Sequence, residues 1–225
     1  MHEPQIRVEW IGNERNAVVI LDDLAPDPLA LRNIARELSF VPMPDQYYPG
    51  TRAIAPESYV ATIGETIRDA LREFYGCGAV RVERCYYSLS TTLLEELTVE
   101  QRLPHFDTVF ENYYAVVHFL CPPELGGTAF FRHRSTGFET ISPARQAEFT
   151  AKLKSELVEY GPPPPAYVGG DTEFFDHLET IDACQNRALI FRGNTFHSGA
   201  VSNSLPLSDD PLSGRLTVVT FLIAE

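Results

Sequence analysis

Two histidines and one aspartate carry the most specific chemical signal in this 225-residue chain. His105 and Asp107 are two positions apart in the segment Leu-Pro-His-Phe-Asp, and His197 follows 90 residues later (197 − 107). Side chains at positions i and i+2 of a β-strand point to the same face, so His105 and Asp107 can reach one ion while Phe106 packs the other way. Two imidazoles and a carboxylate on one face are typical ligands of an open iron(II) site.

A later arginine points to carboxylate binding. Arg215 stands 18 positions after His197 (215 − 197), at the start of an apolar run over 216–223. In a strand, Arg215 and Thr217 share one face. A charge entering so apolar a segment needs a partner, and a guanidinium can hold a carboxylate by two parallel hydrogen bonds. The alternative is a rim arginine paired with a surface acid.

The order His-x-Asp, distant His, Arg-x-Thr resembles that of the iron(II)/2-oxoglutarate-dependent dioxygenases, in particular the prolyl-hydroxylase-like members. The resemblance covers roughly Val80 to Ala224. It implies iron(II), with 2-oxoglutarate and dioxygen as co-substrates. The residues it implies as metal ligands and catalytic centre are His105, Asp107 and His197, and those it implies for the far carboxylate of 2-oxoglutarate are Arg215 and Thr217.

One departure concerns the distal ligand. The gap between Asp107 and His197 is longer than the family usually shows, and an insertion near 139–182 would explain it. If His197 were not the ligand, His133, read as part of a basic surface turn, or His177 would replace it. His118, in an apolar segment, is expected to be a hydrogen-bonded core residue.

The resemblance implies an enzyme that hydroxylates a small molecule or an amino-acid or peptidyl substrate, with decarboxylation of 2-oxoglutarate to succinate. Related halogenases replace the carboxylate ligand by a small residue, so Asp107 argues against halogenation. Desaturation, epoxidation and cyclisation use the same site and stay open. Two alternatives are a non-catalytic cupin-like metal-binding or sensor module and a metal-dependent hydrolase or isomerase. Neither needs the Arg-x-Thr pair.

Further candidates lie outside the main motif. Relatives often use a tyrosine as a second donor to 2-oxoglutarate, and Tyr113 and Tyr87 are candidates, against a default of aromatic core packing. Arg52 follows a Tyr-Tyr-Pro-Gly turn. It could hold an anionic group of the substrate, or it could form a surface ion pair of little consequence.

The pattern of the chain predicts one domain over residues 1–225. Helical periodicity, with Asp27-Pro28 and Pro56 as start signals, predicts N-terminal helical support over about 22–78. From Val80 onward, short strands with Gly and Pro turns predict a mainly β, α+β architecture: a cupin-like jelly roll, of which the double-stranded β-helix is a variant. The insertion over 139–182 contains a helix and a proline run, and we expect it to form a lid or substrate wall.

Composition limits the partners. The net charge of −13 argues against nucleic acid and against anionic membranes, both of which attract clustered Lys and Arg. No apolar run is long enough to span a bilayer, and the N-terminus lacks the features of a signal peptide. Four scattered cysteines indicate a reduced, cytoplasmic protein. The oligomeric state, monomer or homodimer, does not follow from the sequence.

Overall fold

The computed structural model describes residues 3–43 and 48–225. The strands are β1 (Gln5–Ile11), β2 (Asn16–Asp22), β3 (Val41–Pro42), β4 (Gly50–Ile54), β5 (Val80–Ser90), β6 (Tyr113–Phe119), β7 (Gly126–His133), β8 (Phe175–Asp182), β9 (Arg187–Arg192), β10 (His197–Val201) and β11 (Leu216–Ala224). The helices are α1 (Pro28–Glu37), α2 (Glu57–Tyr75) and α3 (Pro143–Tyr160), with 3-10 turns at Leu94–Glu96, Glu100–Arg102 and Pro123–Leu125.

The strands form two antiparallel sheets. The large sheet has the order β1-β2-β9-β6-β11-β5-β4-β3, and the small sheet has the order β10-β7-β8. Apolar side chains of both sheets meet in one core, where the rings of Phe130 on β7 and Phe191 on β9 lie 5.2 Å apart, edge to face. The predicted mainly β jelly-roll architecture with flanking helices is therefore confirmed.

Helices α1 and α2 cover the outer face of the large sheet. Asp27 caps α1 by accepting a hydrogen bond from the backbone N–H of Ala30 at 2.9 Å, and Pro28 occupies the first turn. Apolar side chains of α2 at helical spacing pack on the sheet, among them Ile63, Ile67 and Leu71. The helical support expected over 22–78 thus contains two helices, but the edge strands β3 and β4 lie between them.

Helix α3 stands behind the segments that carry the two histidines. Its Phe149 ring lies 6.0 Å from that of Phe106 and 4.8 Å from that of Phe196. The insertion expected over 139–182 also contains β8, which pairs with β7 along the small sheet. The inserted part therefore ends before Phe175, because the residues that follow belong to the sheet itself.

No helix in the described ranges is long and apolar enough to cross a membrane.

Candidate metal centre

His105, Asp107 and His197 converge at one end of the space between the sheets. One ligand atom from each residue lies within 4.8 Å of the other two. Nε2 of His105 is 4.0 Å from Oδ1 of Asp107, and Nε2 of His197 is 3.8 Å from Oδ2. Because a divalent cation binds imidazole nitrogen and carboxylate oxygen at about 2 Å, this is the spacing that a facial set of three ligands needs.

Backbone hydrogen bonds hold the three ligands together. His105 and His197 pair as an isolated β-bridge, with N–O distances of 2.9 and 2.8 Å, and the N–H of Asp107 donates to the carbonyl of Gly193 at 2.7 Å. The segment around His105 is extended, yet it is not the β-strand that the sequence suggested. Phe106 nevertheless packs away from the two ligands, as expected.

Gly193 leaves room for this arrangement. A Cβ atom at position 193 would lie 2.8 Å from the ring of Tyr113 and 3.3 Å from Cβ of Asp107. Any larger residue would push Asp107 out of line, so glycine is required here by close approach.

The hydrogen bonding of His197 leaves its metal-binding nitrogen available. Nδ1 lies 2.9 Å from the carbonyl oxygen of Thr195. Donation to that carbonyl fixes the tautomer in which Nε2, which faces Asp107, carries the lone pair.

The electrostatics of the centre also fit a cation. Oδ2 of Asp107 is buried and has no hydrogen-bond partner among the described residues. Burial raises the pKa of Asp107, against the opposing effects of His197, Arg52 and Arg84. Desolvation within the pocket, followed by His197 and Arg52, lowers the pKa of His105 well below its usual value. Two imidazoles and a carboxylate with one buried, unpartnered oxygen fit a divalent ion such as iron(II).

The remaining described histidines have other partners. His118 lies between the hydroxyl of Tyr59 and Oδ1 of Asn186, each at 3.1 Å, so its expected core role is confirmed. His177 bonds the hydroxyl of Thr180 at 2.7 Å. His133 is fully buried and contacts Glu156 at 2.9 Å, so its expected place on a surface turn is wrong. Its arginine neighbours in sequence had suggested exposure, but strand alternation turns His133 inward.

Arg215 and Thr217 are both buried on the inner face of the large sheet. Nη2 of Arg215 donates to the carbonyl of Gly127 at 2.6 Å, and Nη1 donates to Oγ of Ser90 at 3.4 Å. Its Nε has no hydrogen-bond partner, and no carboxylate pairs with this guanidinium in residues 3–43 and 48–225. A rim arginine paired to a surface acid is therefore not what the structure shows. A buried cation of this kind calls for an anionic ligand.

Arg215 lies within reach of a ligand that also contacts the metal centre. A Cβ atom at Gly199 would stand 3.6 Å from Nη2 of Arg215, and Gly199 follows His197 by two residues on β10. Two residues of a strand span about 7 Å. A short dicarboxylate can bridge that interval.

Of the two tyrosines predicted as co-substrate contacts, Tyr87 faces the helices, whereas Tyr113 lies near Asp107 and away from Thr217. The ring of Tyr87 lies 5.8 Å from the ring of Tyr59, on the opposite side of β5 from Ser88. Tyr113 stands six residues from Phe119 on β6, and Phe119 pairs with Thr217. That separation is about 20 Å along the strand, so Tyr113 and Thr217 do not meet on one carboxylate.

A different tyrosine lies next to Arg215. The hydroxyl of Tyr48 is 3.1 Å from Oγ of Ser90, the same oxygen that Nη1 of Arg215 contacts. Tyr48 belongs to the Tyr-Tyr-Pro-Gly turn, whose Tyr47 is outside the described residues. The sequence indicated a turn there, but it gave no sign that the turn reaches the end of β5.

Arg52 lies on β4 and not on a turn. It is 8% exposed, pairs across the sheet with Ser88, and donates from Nε to the Ser88 hydroxyl at 3.2 Å. Its guanidinium stacks 4.2 Å from the ring centroid of Tyr48. Burial lowers the pKa of Arg52, and Tyr48 and Asp107 oppose that shift. Arg52 is therefore a buried residue of the large sheet, held by Ser88 and Tyr48.

Solved structures described as non-heme 2-oxoglutarate-dependent enzymes share this fold. The chain is similar to the carbocyclase SnoK from nogalamycin biosynthesis, with 15% identity and a TM-score of 0.54 over 94% of this chain and 81% of that one. The chain is also similar to the epimerase SnoN from the same biosynthesis, with 12% identity and a TM-score of 0.53 over 94% of this chain and 79% of that one. A third similar structure is HygX from Streptomyces hygroscopicus, solved with nickel and 2-oxoglutarate bound. It has 11% identity and a TM-score of 0.52 over 94% of this chain and 84% of that one.

In sequence, residues 2–222 match the model of a family described as "Family of unknown function (DUF6445)", and the chain belongs to that family. No curated protein matches the chain in sequence. At identities of 11–15% the structural likeness establishes the fold, and the chemistry must be argued from the residues of this chain.

Proposed function

We propose that this protein is an iron(II)- and 2-oxoglutarate-dependent oxygenase. The observation that carries the proposal is the pairing of two incomplete sites within one pocket. Asp107 offers a buried carboxylate oxygen that lacks a partner among the described residues, and Arg215 offers a buried guanidinium that lacks a carboxylate there. A metal ion completes the first site and a dicarboxylate completes the second. The five-carbon keto diacid 2-oxoglutarate matches both the charge and the interval.

In this proposal His105, Asp107 and His197 hold iron(II). The bound metal, with 2-oxoglutarate, supplies the activation of dioxygen coupled to decarboxylation of the keto acid to succinate. Arg215 and the hydroxyl of Thr217 hold the far carboxylate, so the keto acid end is directed to the metal. Buried aromatic rings around this space, such as Phe119 and Phe130, exclude water from the reacting atoms.

Hydroxylation is the reaction that we propose, with Arg52 on the substrate side of the pocket. The carboxylate of Asp107 fills the position that a halide would need, which argues against halogenation. SnoN and SnoK are called an epimerase and a carbocyclase, so this fold also serves other oxidations. HygX has been solved with hygromycin B bound, which supports a small-molecule substrate. A cupin-like sensor or a metal hydrolase would leave the charge of Arg215 unexplained.

The proposal is tested by the optical spectrum of the iron complex. Anaerobic addition of iron(II) and 2-oxoglutarate to the wild-type chain should give the weak visible charge-transfer band that a chelated keto acid produces. Asp107→Ala and His105→Ala should lose the band and weaken metal binding by more than about 100-fold, because even residues that only orient ligands contribute about 10–100-fold.

His177→Ala is the matched control, since His177 bonds Thr180 and is not part of the cluster of metal-binding side chains. It should keep the band and the wild-type circular dichroism spectrum. A folded wild-type chain that shows no band, and releases no succinate in air, would rule out the oxygenase proposal.

A further inference from the structure

A hydrogen-bonded cluster on β5 and β6 lies beside the metal ligands. Nη2 of Arg84 donates to the hydroxyl of Tyr113 at 2.8 Å, and that hydroxyl donates to Oε2 of Glu83 at 2.6 Å. Nε of Arg84 also contacts Oε2 of Glu83 at 3.2 Å. Tyr113 and Asp107 both lie close to Gly193, at 2.8 and 3.3 Å from where its Cβ would stand. The cluster therefore shares a wall with the metal centre.

The cluster has a donor edge that its own contacts do not use. Within the described part of the chain, Nη1 of Arg84 has no hydrogen-bond partner, while Nε and Nη2 are held by Glu83 and Tyr113. The guanidinium also lies 4.9 Å from the ring centroid of Phe221. These contacts fix its plane, and its side chain remains 41% exposed. A guanidinium fixed in this way and still open to solvent is suited to binding a carboxylate or a phosphate group.

The side chains of Arg84 and Arg52 lie on the same face of the large sheet. Arg84, Tyr86 and Ser88 alternate along one face of β5. The guanidinium of Arg52 lies 5.5 Å from the ring centroid of Tyr86 and bonds the hydroxyl of Ser88, so both guanidiniums lie on the same face as Tyr86. The chain has 31 acidic and 18 basic residues, so two cations at one pocket run against its overall charge. Glu83 offsets one of these charges and leaves Nη1 of Arg84 open.

We infer that the wall formed by Arg84, with Arg52 behind it, is a substrate subsite that recognises an anionic group, either a carboxylate or a phosphate. The inference rests on the proposed function for its reaction, and it adds the chemical class of the substrate. Arg84 contacts the anion directly, while Tyr113 and Glu83 position Arg84. The anion lies next to Asp107, which directs the rest of the substrate towards the metal.

Paired probes that differ in charge test the subsite. Phenylacetate is compared with phenylacetamide, and phenyl phosphate with phenol, by calorimetric titration into the full chain. Each titration is run on the chain loaded with nickel(II) and 2-oxoglutarate and again on the metal-free chain. At least one anion should bind roughly tenfold or more tightly than its neutral counterpart, as expected for a charge-assisted hydrogen bond. The tighter anion identifies the class as carboxylate or phosphate.

Substitutions then separate the members of the cluster. Arg84→Gln should remove the preference for the anion, whereas Glu83→Gln should keep or increase it, because it frees Arg84 from its acidic partner. Arg72→Gln is the matched control, since Arg72 is an exposed arginine on α2 that pairs with Asp69. It should bind the probes as the wild type does.

Three results would overturn the inference: neither anion binds, neutral and anionic probes bind equally, or Arg84→Gln keeps the wild-type preference. Failure of the proposed function gives a different result. In that case the iron and 2-oxoglutarate complex does not form, while the metal-free chain still prefers the anion in a manner that depends on Arg84.

Discussion

Arg215 shows how a single residue can indicate a ligand. The guanidinium is buried among aromatic and strand residues, and its two hydrogen bonds go to neutral acceptors, the Gly127 carbonyl and the Ser90 hydroxyl. Neutral acceptors offset only part of the free energy lost when a full charge leaves water. In the proposed function, the far carboxylate of 2-oxoglutarate would supply the missing negative charge.

We therefore expect Arg215→Gln to act in opposite directions on binding and on stability. Affinity for 2-oxoglutarate should fall by about 2–5 kcal/mol, since a buried charge-assisted pair is lost, while iron(II) affinity stays close to the wild-type value. The ligand-free variant should be as stable as the wild type or more so, because an uncompensated buried charge is gone. Calorimetric titration and urea unfolding measure the two effects. An unchanged affinity for 2-oxoglutarate would assign Arg215 a purely structural role.

The residues that carry the proposed chemistry divide into those that the sequence predicted and those that it did not. His105, Asp107, His197 and Arg215 were predicted because their types and order are unusual by themselves. The sequence did not predict the residues whose roles depend on cross-strand register, because no single segment determines how two strands pair. Those are Ser88, Ser90, Tyr48 and Arg84.

At the scale of elements, His118 joins three parts of the fold. It lies on β6, it contacts Tyr59 of α2 on one side and Asn186 of the turn before β9 on the other, and it has no exposed surface. Asn186 also accepts the N–H of Ala25 at 2.9 Å and donates to its carbonyl at 2.9 Å. One buried imidazole thus connects the helical layer to the large sheet.

This connection should make the stability of the protein depend on pH. Burial lowers the pKa of His118 to about 4, whereas an unfolded histidine has a pKa of about 6.5. Between these values the unfolded chain binds a proton that the folded chain does not, so the free energy of unfolding falls as the pH falls below 6.5. The loss attributable to His118 is about 3 kcal/mol by pH 4. Urea unfolding at pH 7 and at pH 4 measures it.

His118→Gln supplies the comparison, because an amide can bond Tyr59 and Asn186 but does not titrate. The variant should lose about 3 kcal/mol less than the wild type over the same interval. Equal losses would mean that other groups cause the acid sensitivity.

Elements with strong local signals were predicted, and elements that depend on distant partners were not. Asp27 caps α1, Gly76 ends α2 in the left-handed region, and all three helices carry apolar residues at helical spacing, so α1, α2 and α3 followed from the sequence. Strand β3 is a short edge strand that pairs with β4, and β4 pairs with β5, which lies far along the chain. The acidic residues of β8 suggested an excursion, although seven of its eight residues pair with β7.

At the scale of the whole molecule, the side chains of the metal centre come from parts of the chain that belong to different sheets. His197 begins β10 of the small sheet, and His105 and Asp107 belong to the segment that precedes β6 of the large sheet. Two backbone hydrogen bonds between His105 and His197 connect them in the absence of a ligand. A bound ion adds a further link between the same parts, so binding and global stability should be coupled.

Ligand binding should therefore raise the thermal midpoint of unfolding. A ligand at about 100 times its dissociation constant stabilises the folded state by about 2.7 kcal/mol, which corresponds to roughly 5–10 °C for a chain of this size. Nickel(II) with 2-oxoglutarate should give that rise in the wild type and in His177→Ala, as measured by differential scanning calorimetry. Asp107→Ala should show no rise, because the link between the sheets needs its carboxylate. A rise of equal size in Asp107→Ala would place the stabilising metal somewhere other than between His105 and His197.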